Sequence, residues 1–417
     1  MSSRTGQLTR VFIPFALGYF LSYVYRVVNA VIAPDLVRDL GLDPSGLGML
    51  TSAYFLTFAA FQLPLGILLD RYGPRRVEAG LLLVAALGAF VFSISDSLAA
   101  VVVGRALIGF GVSACLMAAF KAFVLWFPIN RLPLVNGMQM AAGGLGALFA
   151  TAPVEVALGY MNWRGLFAGL AVLTLLVAAA VFWIVPEHSG SHHEETLADQ
   201  MRGIRQIMGS RVFWRIAPWT IASQAVFLSV QGLWSGPWLR DVAGYSRMAV
   251  ADTLFLIAVA MIAGFLSLGA LAEFLSRRGI RPIVVAGFGM TLFMLVQLML
   301  VLQVVSLTVP LWVLFGFFGT TNILPYAVLS QSFPAHLAGR ANTGLNVFVF
   351  LAAFAGQWGI GAIIDLWSPL DGGLYQPQAY QAAFALMLGL QVISAIWFFI
   401  SSAKTMNRSE GSDLKHR

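Results

Sequence analysis

Gly66-Ile67-Leu68-Leu69-Asp70-Arg71-Tyr72-Gly73-Pro74-Arg75-Arg76 joins two apolar runs, 47–69 and 77–95, each long enough to cross roughly 30 Å of hydrocarbon as a helix. Gly66 lets two helices approach closely. Asp70 ends the first run where it can accept from the positive N-terminus of a neighbouring helix, and Arg71, Arg75 and Arg76 supply paired charge at a membrane face.

Outward from this segment the chain keeps the same character: of its 417 residues 59% are hydrophobic and 10% charged. An average soluble domain carries about a quarter charged residues, so this composition excludes a soluble core. Twelve runs predict membrane helices at 11–34, 47–69, 77–95, 98–127, 134–157, 165–185, 213–239, 248–272, 282–304, 308–333, 342–366 and 380–402. Arg4 and Arg10 precede the first run, yet no small-residue cleavage site follows and the run exceeds signal-peptide length, so it reads as span 1. Cys115, the single cysteine, lies in span 4 and excludes a disulfide framework or a thiol pair for a metal.

The net charge of +7 encodes topology. With the N-terminus in the cytoplasm, 18 of the 25 Lys and Arg fall on that side, Arg38, Arg164, Arg240 and Arg247 fall outside, and Arg26, Arg105 and Lys121 lie in the membrane. That asymmetry satisfies the positive-inside rule with both termini cytoplasmic and gives no reason to invoke nucleic acid.

The longest polar segment, Pro186 to Arg211, contains His188, His192, His193, Glu194 and Glu195, then Leu197, Met201, Ile204, Ile207 and Met208 at helical spacing. It reads as a solvated linker with an amphipathic helix rather than a metal site, since nothing there fixes ligand geometry. The chain therefore divides into a first bundle (1–186), a linker (187–211) and a second bundle (212–417) of six spans each. The halves echo one another: Phe127-Pro128 precedes Asn136-Gly137 as Phe333-Pro334 precedes Asn342-Thr343-Gly344, with eight residues from Pro to Asn in both. Gly66, Asp70, Arg71, Gly73, Arg75 and Arg76 return as Gly269, Glu273, Arg277, Arg278, Gly279 and Arg281 after span 8. A carrier built by duplication shows such pairs.

The segment Gly66–Arg76, at its place between spans 2 and 3, resembles the signature of the major facilitator superfamily, and the degenerate copy extends the resemblance over the whole chain. It implies an all-α membrane protein of twelve helices in two six-helix bundles related by pseudo-two-fold symmetry, a central cavity and alternating access. It also implies that the cluster around Asp70 latches the cytoplasmic side against span 11 when the protein faces outward. Topology anchoring is the alternative for Arg76. Arg105-Ala106-Leu107-Ile108-Gly109-Phe110-Gly111 resembles a second signature of the family without its glutamine, and Arg105 is either a structural donor to loop carbonyls or part of proton coupling.

Arg26 sits about halfway along an apolar run, where an unpaired cation costs roughly 2.5 to 3.5 kcal/mol on the insertion scale. Something anionic must meet it. Tyr23-Val24-Tyr25-Arg26-Val27-Val28-Asn29 followed by Pro34 resembles span 1 of the organophosphate antiporters and organic-anion symporters, whose arginine contacts the anionic group. The phosphate carriers add an arginine six residues before a Trp-Ser-x-Pro turn; here that turn is Trp234-Ser235-Gly236-Pro237 and the position is Leu228, so a carboxylate fits better than a phosphate ester.

Helical spacing sets Tyr19, Tyr23, Arg26 and Ala30 on one face of span 1 with Ser22 and Asn29 flanking them, Gln224 and Gln231 on one stripe of span 7 with Trp234 beside it, Asn322 and Tyr326 on span 10, and Asn346, Phe350 and Gln357 on span 11. Half of these amides are expected at a cavity and half between helices. Lys121 either snorkels to the interface or forms a second contact or gate. No acid reads as central in any span; Asp35, Glu155 and Asp252 lie near helix ends, and Glu155 is the preferred proton-coupling candidate.

The expectation is a monomeric inner-membrane secondary transporter for a small organic anion or amino-acid-like solute, with protons as the candidate coupling ion and no cofactor. The alternatives are an exporter of lipophilic compounds, which the resemblance disfavours because span 5 lacks the Gly-Pro pair that drug and proton antiporters tend to carry, and a non-transporting sensor. An enzyme is excluded by the want of a nucleophile with a base, a metal-ligand set or a phosphate loop.

Overall fold

A run of Leu, Val, Ala and Phe in hydrocarbon must satisfy its backbone internally, and the chain answers with helices throughout. The computed structural model describes residues 8–128, 132–187, 197–370 and 373–413. His188, His192, His193, Glu194 and Glu195 of the linker lie outside the described residues, as does the side chain of Asp70.

Span 1 comprises Ile13–Val27 and Asn29–Leu40, and spans 2 and 3 share the helical run Pro44–Ile94. Span 4 is Leu98–Gly111 with Cys115–Trp126, span 5 is Leu132–Phe149 with Ala152–Leu158, and span 6 is Trp163–Ile184. After the linker helix Leu197–Met208, span 7 runs through Arg211–Ser229, Val230–Trp234 and Ser235–Asp241. Spans 8 and 9 are Arg247–Arg277 and Pro282–Val301; span 10 is Thr308–Gly319, Thr320–Ile323 and Leu324–Gln331; spans 11 and 12 are Ala335–Ile364 and Pro377–Asp413. Among the described residues nine helices are individually long and apolar enough to cross a membrane, and the bent span 1 adds a tenth. Leu176, Phe288 and Ile393 stand exposed on the outside, as lipid requires.

The turn between spans 2 and 3 falls at Gly73, where φ is 78° and ψ is 158°, a conformation essentially confined to glycine. This explains the glycine of the opening segment. Several spans expected as continuous helices are broken. Span 1 bends by 47° after Val27, span 7 carries the five-residue π-helical stretch Val230–Trp234, and span 10 tightens to 3-10 geometry over Thr320–Ile323. Irregular backbone at membrane depth needs partners from protein. Arg105 supplies one, its Nη1 donating to the Tyr25 carbonyl at 2.8 Å just before the span 1 bend.

The two halves meet tightly at the face carrying Asp35. Small residues make the seam: Gly236 of span 7 packs on the Ala30 carbonyl, Gly361 of span 11 on that of Pro44, and a Cβ at Gly48 would come within 2.9 Å of the Gln357 carbonyl. Span 5 meets span 8 where Gly144 faces Ile262. The linker helix forms as its periodicity predicts, burying Ile207 and placing Met208 against Gly344 of span 11.

Candidate functional site

Between the halves lies a cavity of about 330 Å³, walled by spans 1, 2, 4 and 5 on one side and spans 7, 10 and 11 on the other. Arg26 lies on its wall, only 7% exposed, and among the described residues no acid pairs with it. Aromatic faces hold it instead. Its guanidinium carbon lies 4.6 Å from the Tyr23 ring centroid, 5.5 Å from Phe58, 5.5 Å from Phe350 and 5.9 Å from Tyr54. Each such contact contributes about 0.5 to 2 kcal/mol, enough together to offset the insertion cost of the cation. Nε has no partner. Phe58 and Phe350 meet across the two halves as a tilted pair with centroids 4.3 Å apart, so the cage is shared between them.

Of the expected contacts, Tyr19, Tyr23, Arg26, Gln224, Tyr326 and Asn346 line the cavity, with Phe350. The others lie elsewhere. Asn29 is fully buried against Arg105, where its amide oxygen accepts from Nη2 at 2.9 Å. Gln231 donates to Met261 Sδ at 3.6 Å, and Trp234 Nε1 donates to the Gln357 carbonyl at 2.9 Å, which places all three in the seam between helices. Asn322 is buried in the 3-10 turn of span 10 with both amide atoms unpartnered. Lys121 is half-buried, makes contacts of its own, and is not on the cavity wall.

Sequence reading did not pick out Phe58, Gln62, Ser113, Met117, Phe120 or Met140, which complete the wall. On apolar helices an aromatic or methionine facing a cavity looks like one facing lipid. Leu228 also lines the cavity, so the place of a second arginine is an apolar wall. Many of the polar groups are already satisfied. Tyr19 donates to Met140 Sδ at 3.7 Å, Gln62 to the Ser113 carbonyl at 3.3 Å, Ser113 to the Phe110 carbonyl at 2.7 Å, and Tyr326 to Asn346 Oδ1 at 3.2 Å.

At the Asp35 face an ion cluster ties the halves together. Arg247 of span 8 donates from Nη1 and Nη2 to Asp35 at 3.0 and 2.6 Å and from Nε to Glu155 at 2.5 Å. Arg38 adds a contact to Asp35 at 3.2 Å, while Asp252 is exposed. At the opposite face the contacts of the described motif charges stay within their own halves. Gly66 is half-buried, Arg71 lies over Tyr72 at 5.4 Å, and Arg75 and Arg76 both reach Glu187 at the end of span 6. In the second copy Glu273 pairs with Arg277 at 2.6 Å and Arg278 lies over Phe274 at 4.3 Å.

Helices broken beside a central cavity, two halves joined at one face, and an apolar exterior define a membrane carrier of small solutes. The chain belongs to the Major Facilitator Superfamily, whose profile matches residues 15–357. It is accordingly a multi-pass transporter and not an enzyme. A Cupriavidus necator protein named "Probable sulfoacetate transporter SauU" is 24% identical over 357 residues, covering 79% of this chain and 82% of that one. The "Hexuronate transporter" of Escherichia coli K12 is 24% identical over 218 residues, 48% of this chain and 50% of its own. Among solved structures, a bacterial homologue of the human lysosomal transporter Spinster, inward-facing and unoccupied, has a TM-score of 0.77 at 15% identity over 97% of this chain and 99% of that one. A D-xylose-proton symporter has a TM-score of 0.72 at 16% identity over 94% and 97%.

Proposed function

We propose that this transporter moves a small organic anion by alternating access, with Arg26 as the group that receives its negative charge. The single observation that carries the reading is a guanidinium on the cavity wall, caged by ring faces and paired with no described acid. The relatives named for sulfoacetate and hexuronate handle anions of this kind. Two bundles, 1–186 and 212–417, would rock about the cavity, joined by the linker 187–211, with both termini in the cytoplasm of a bacterial-type inner membrane. Tyr19, Tyr23, Gln224, Tyr326 and Asn346 complete the contact set. Arg105 acts as a strut for span 1, and Arg247 with Asp35 and Glu155 as the outer latch.

The wall chemistry narrows the cargo. Because many of the lining polar groups already have protein partners, a polyhydroxylated acid would find few donors, whereas one anionic head on a compact apolar body fits Phe58, Phe120, Met117, Met140 and Leu228. A thermal-shift screen of the purified protein against monocarboxylates, alkylsulfonates, hexuronates and phosphate esters tests this. A ligand at about 100 times its Kd adds about 2.7 kcal/mol of stability. Stabilisation by apolar-bodied monoanions, lost in Arg26→Ala, is the expected result. Equal stabilisation of both proteins, or by uncharged lipophiles alone, contradicts it.

A further inference from the structure

Span 3 carries a carboxyl group that the substrate path does not use. Glu78 lies five residues past the Gly73 turn, within the apolar helix Arg71–Ile94, and is fully buried. Neither of its oxygens has a hydrogen-bond partner. Opposite it, Gly18 of span 1 presents bare backbone: a Cβ added there would overlap Oε1 and lie 3.8 Å from the Cys115 thiol of span 4. Three helices of the first half thus close around the acid, and glycine at 18 makes the room.

Among the described residues no charged or titratable group is bonded to it. On its own helix Arg75 and Arg76 turn to Glu187, and Arg75 also covers the Phe182 ring. Span 4 offers Cys115 and, six residues further, Lys121, which has contacts of its own. Span 1 offers Tyr19, bonded to Met140, and Arg26, eight residues beyond Gly18. On span 6, Arg164 lies at the far end, paired with Asp39 and Asp96. An enclosed carboxylate with no described cation or donor bonded to it relieves its desolvation by binding a proton.

We propose that Glu78 is a proton-binding site of the carrier, held as the neutral acid in this conformation. It exchanges its proton with water at the face of Arg75 and Arg76 when span 1 moves off it. The carboxyl O–H bond breaks, its electron pair stays on oxygen and the proton passes to water. Span 1 links this site to Arg26, about 12 Å further along the helix. An anion that neutralises Arg26 removes a positive charge opposing protonation of Glu78, so anion and proton promote each other's binding, the thermodynamic basis of symport. This linkage rests on the anion reading of Arg26; the proton site itself does not.

Infrared spectroscopy of the purified full-length protein in lipid nanodiscs, without cargo, is the test. A carbonyl band of protonated carboxylic acid is expected at neutral pH, kept in Glu78→Asp and missing from Glu78→Gln. In Arg26→Gln the alkaline midpoint for losing that band should rise by about one pH unit, from a unit charge some 12 Å away at an effective dielectric near 20. Identical bands in wild type and Glu78→Gln overturn the proton site. An unmoved midpoint in Arg26→Gln overturns the linkage. A protein that lacks the band yet is stabilised by monocarboxylates sinks this inference alone, and one that shows the band without such stabilisation sinks the anion reading alone.

Discussion

Arg26 is stabilised by ring faces, and among the described residues no acid takes its charge. An acid in the same place would have consumed the charge. A lysine at 26 keeps a cation but not the planar fork, so Arg26→Lys is expected to weaken binding of the stabilising anion about tenfold, and Arg26→Gln on the order of a hundredfold, from the 1.5 to 3 kcal/mol of a charged hydrogen bond. Titration calorimetry checks the order; an Arg26→Lys variant that binds as tightly as the native protein would mean that the fork is not used. Arg26 was legible in the sequence because a charge inside an apolar run cannot hide. Its cage was not: Phe58 and Phe350 come from spans 2 and 11, and nothing local marks an aromatic that meets a cation. Asn29 illustrates the opposite limit, since it shares a helix with Arg26 but turns to Arg105. Glu78 escaped notice because, two residues past Arg76, it reads as interfacial, whereas the turn at Gly73 draws it inside.

At the scale of single elements, hydrophobic runs placed the spans and their glycines, while the breaks within spans depended on contacts no run reveals. Span 1 bends where Arg105 of span 4 takes the Tyr25 carbonyl, a partner eighty positions away in the chain. The sequence put a break between spans 2 and 3, and its place at Gly73 follows from a backbone that essentially only glycine adopts. Gly73→Ala should therefore lower stability by about 1 to 3 kcal/mol, although open space surrounds the position. Gly80→Ala, on the same helix and also in open space but with ordinary helical geometry, should change little. Thermal unfolding of both in detergent makes the comparison, and equal losses would remove the backbone explanation.

At the scale of the whole molecule, the described halves are tied together at the Asp35 face by Arg247 on Asp35 and Glu155. The duplicated motifs made two halves readable; which face is shut was not readable, because each half carries charges enough for either. Arg247→Gln should loosen the closed face. Spin labels at Tyr160→Cys and Leu366→Cys, both exposed beside the seam, in a Cys115→Ala background, are expected to show a population at longer separation in that variant. An unchanged distance distribution would show that the glycine seam alone keeps the face closed. The anion's own position is the most direct test. A structure of the purified transporter with a brominated aromatic monocarboxylate should show an anomalous peak in the cavity, with the carboxylate about 3 Å from the Arg26 guanidinium and the ring among Phe58, Phe120 and Met117. The same peak persisting in Arg26→Ala, or found outside the cavity, would contradict the assignment of Arg26.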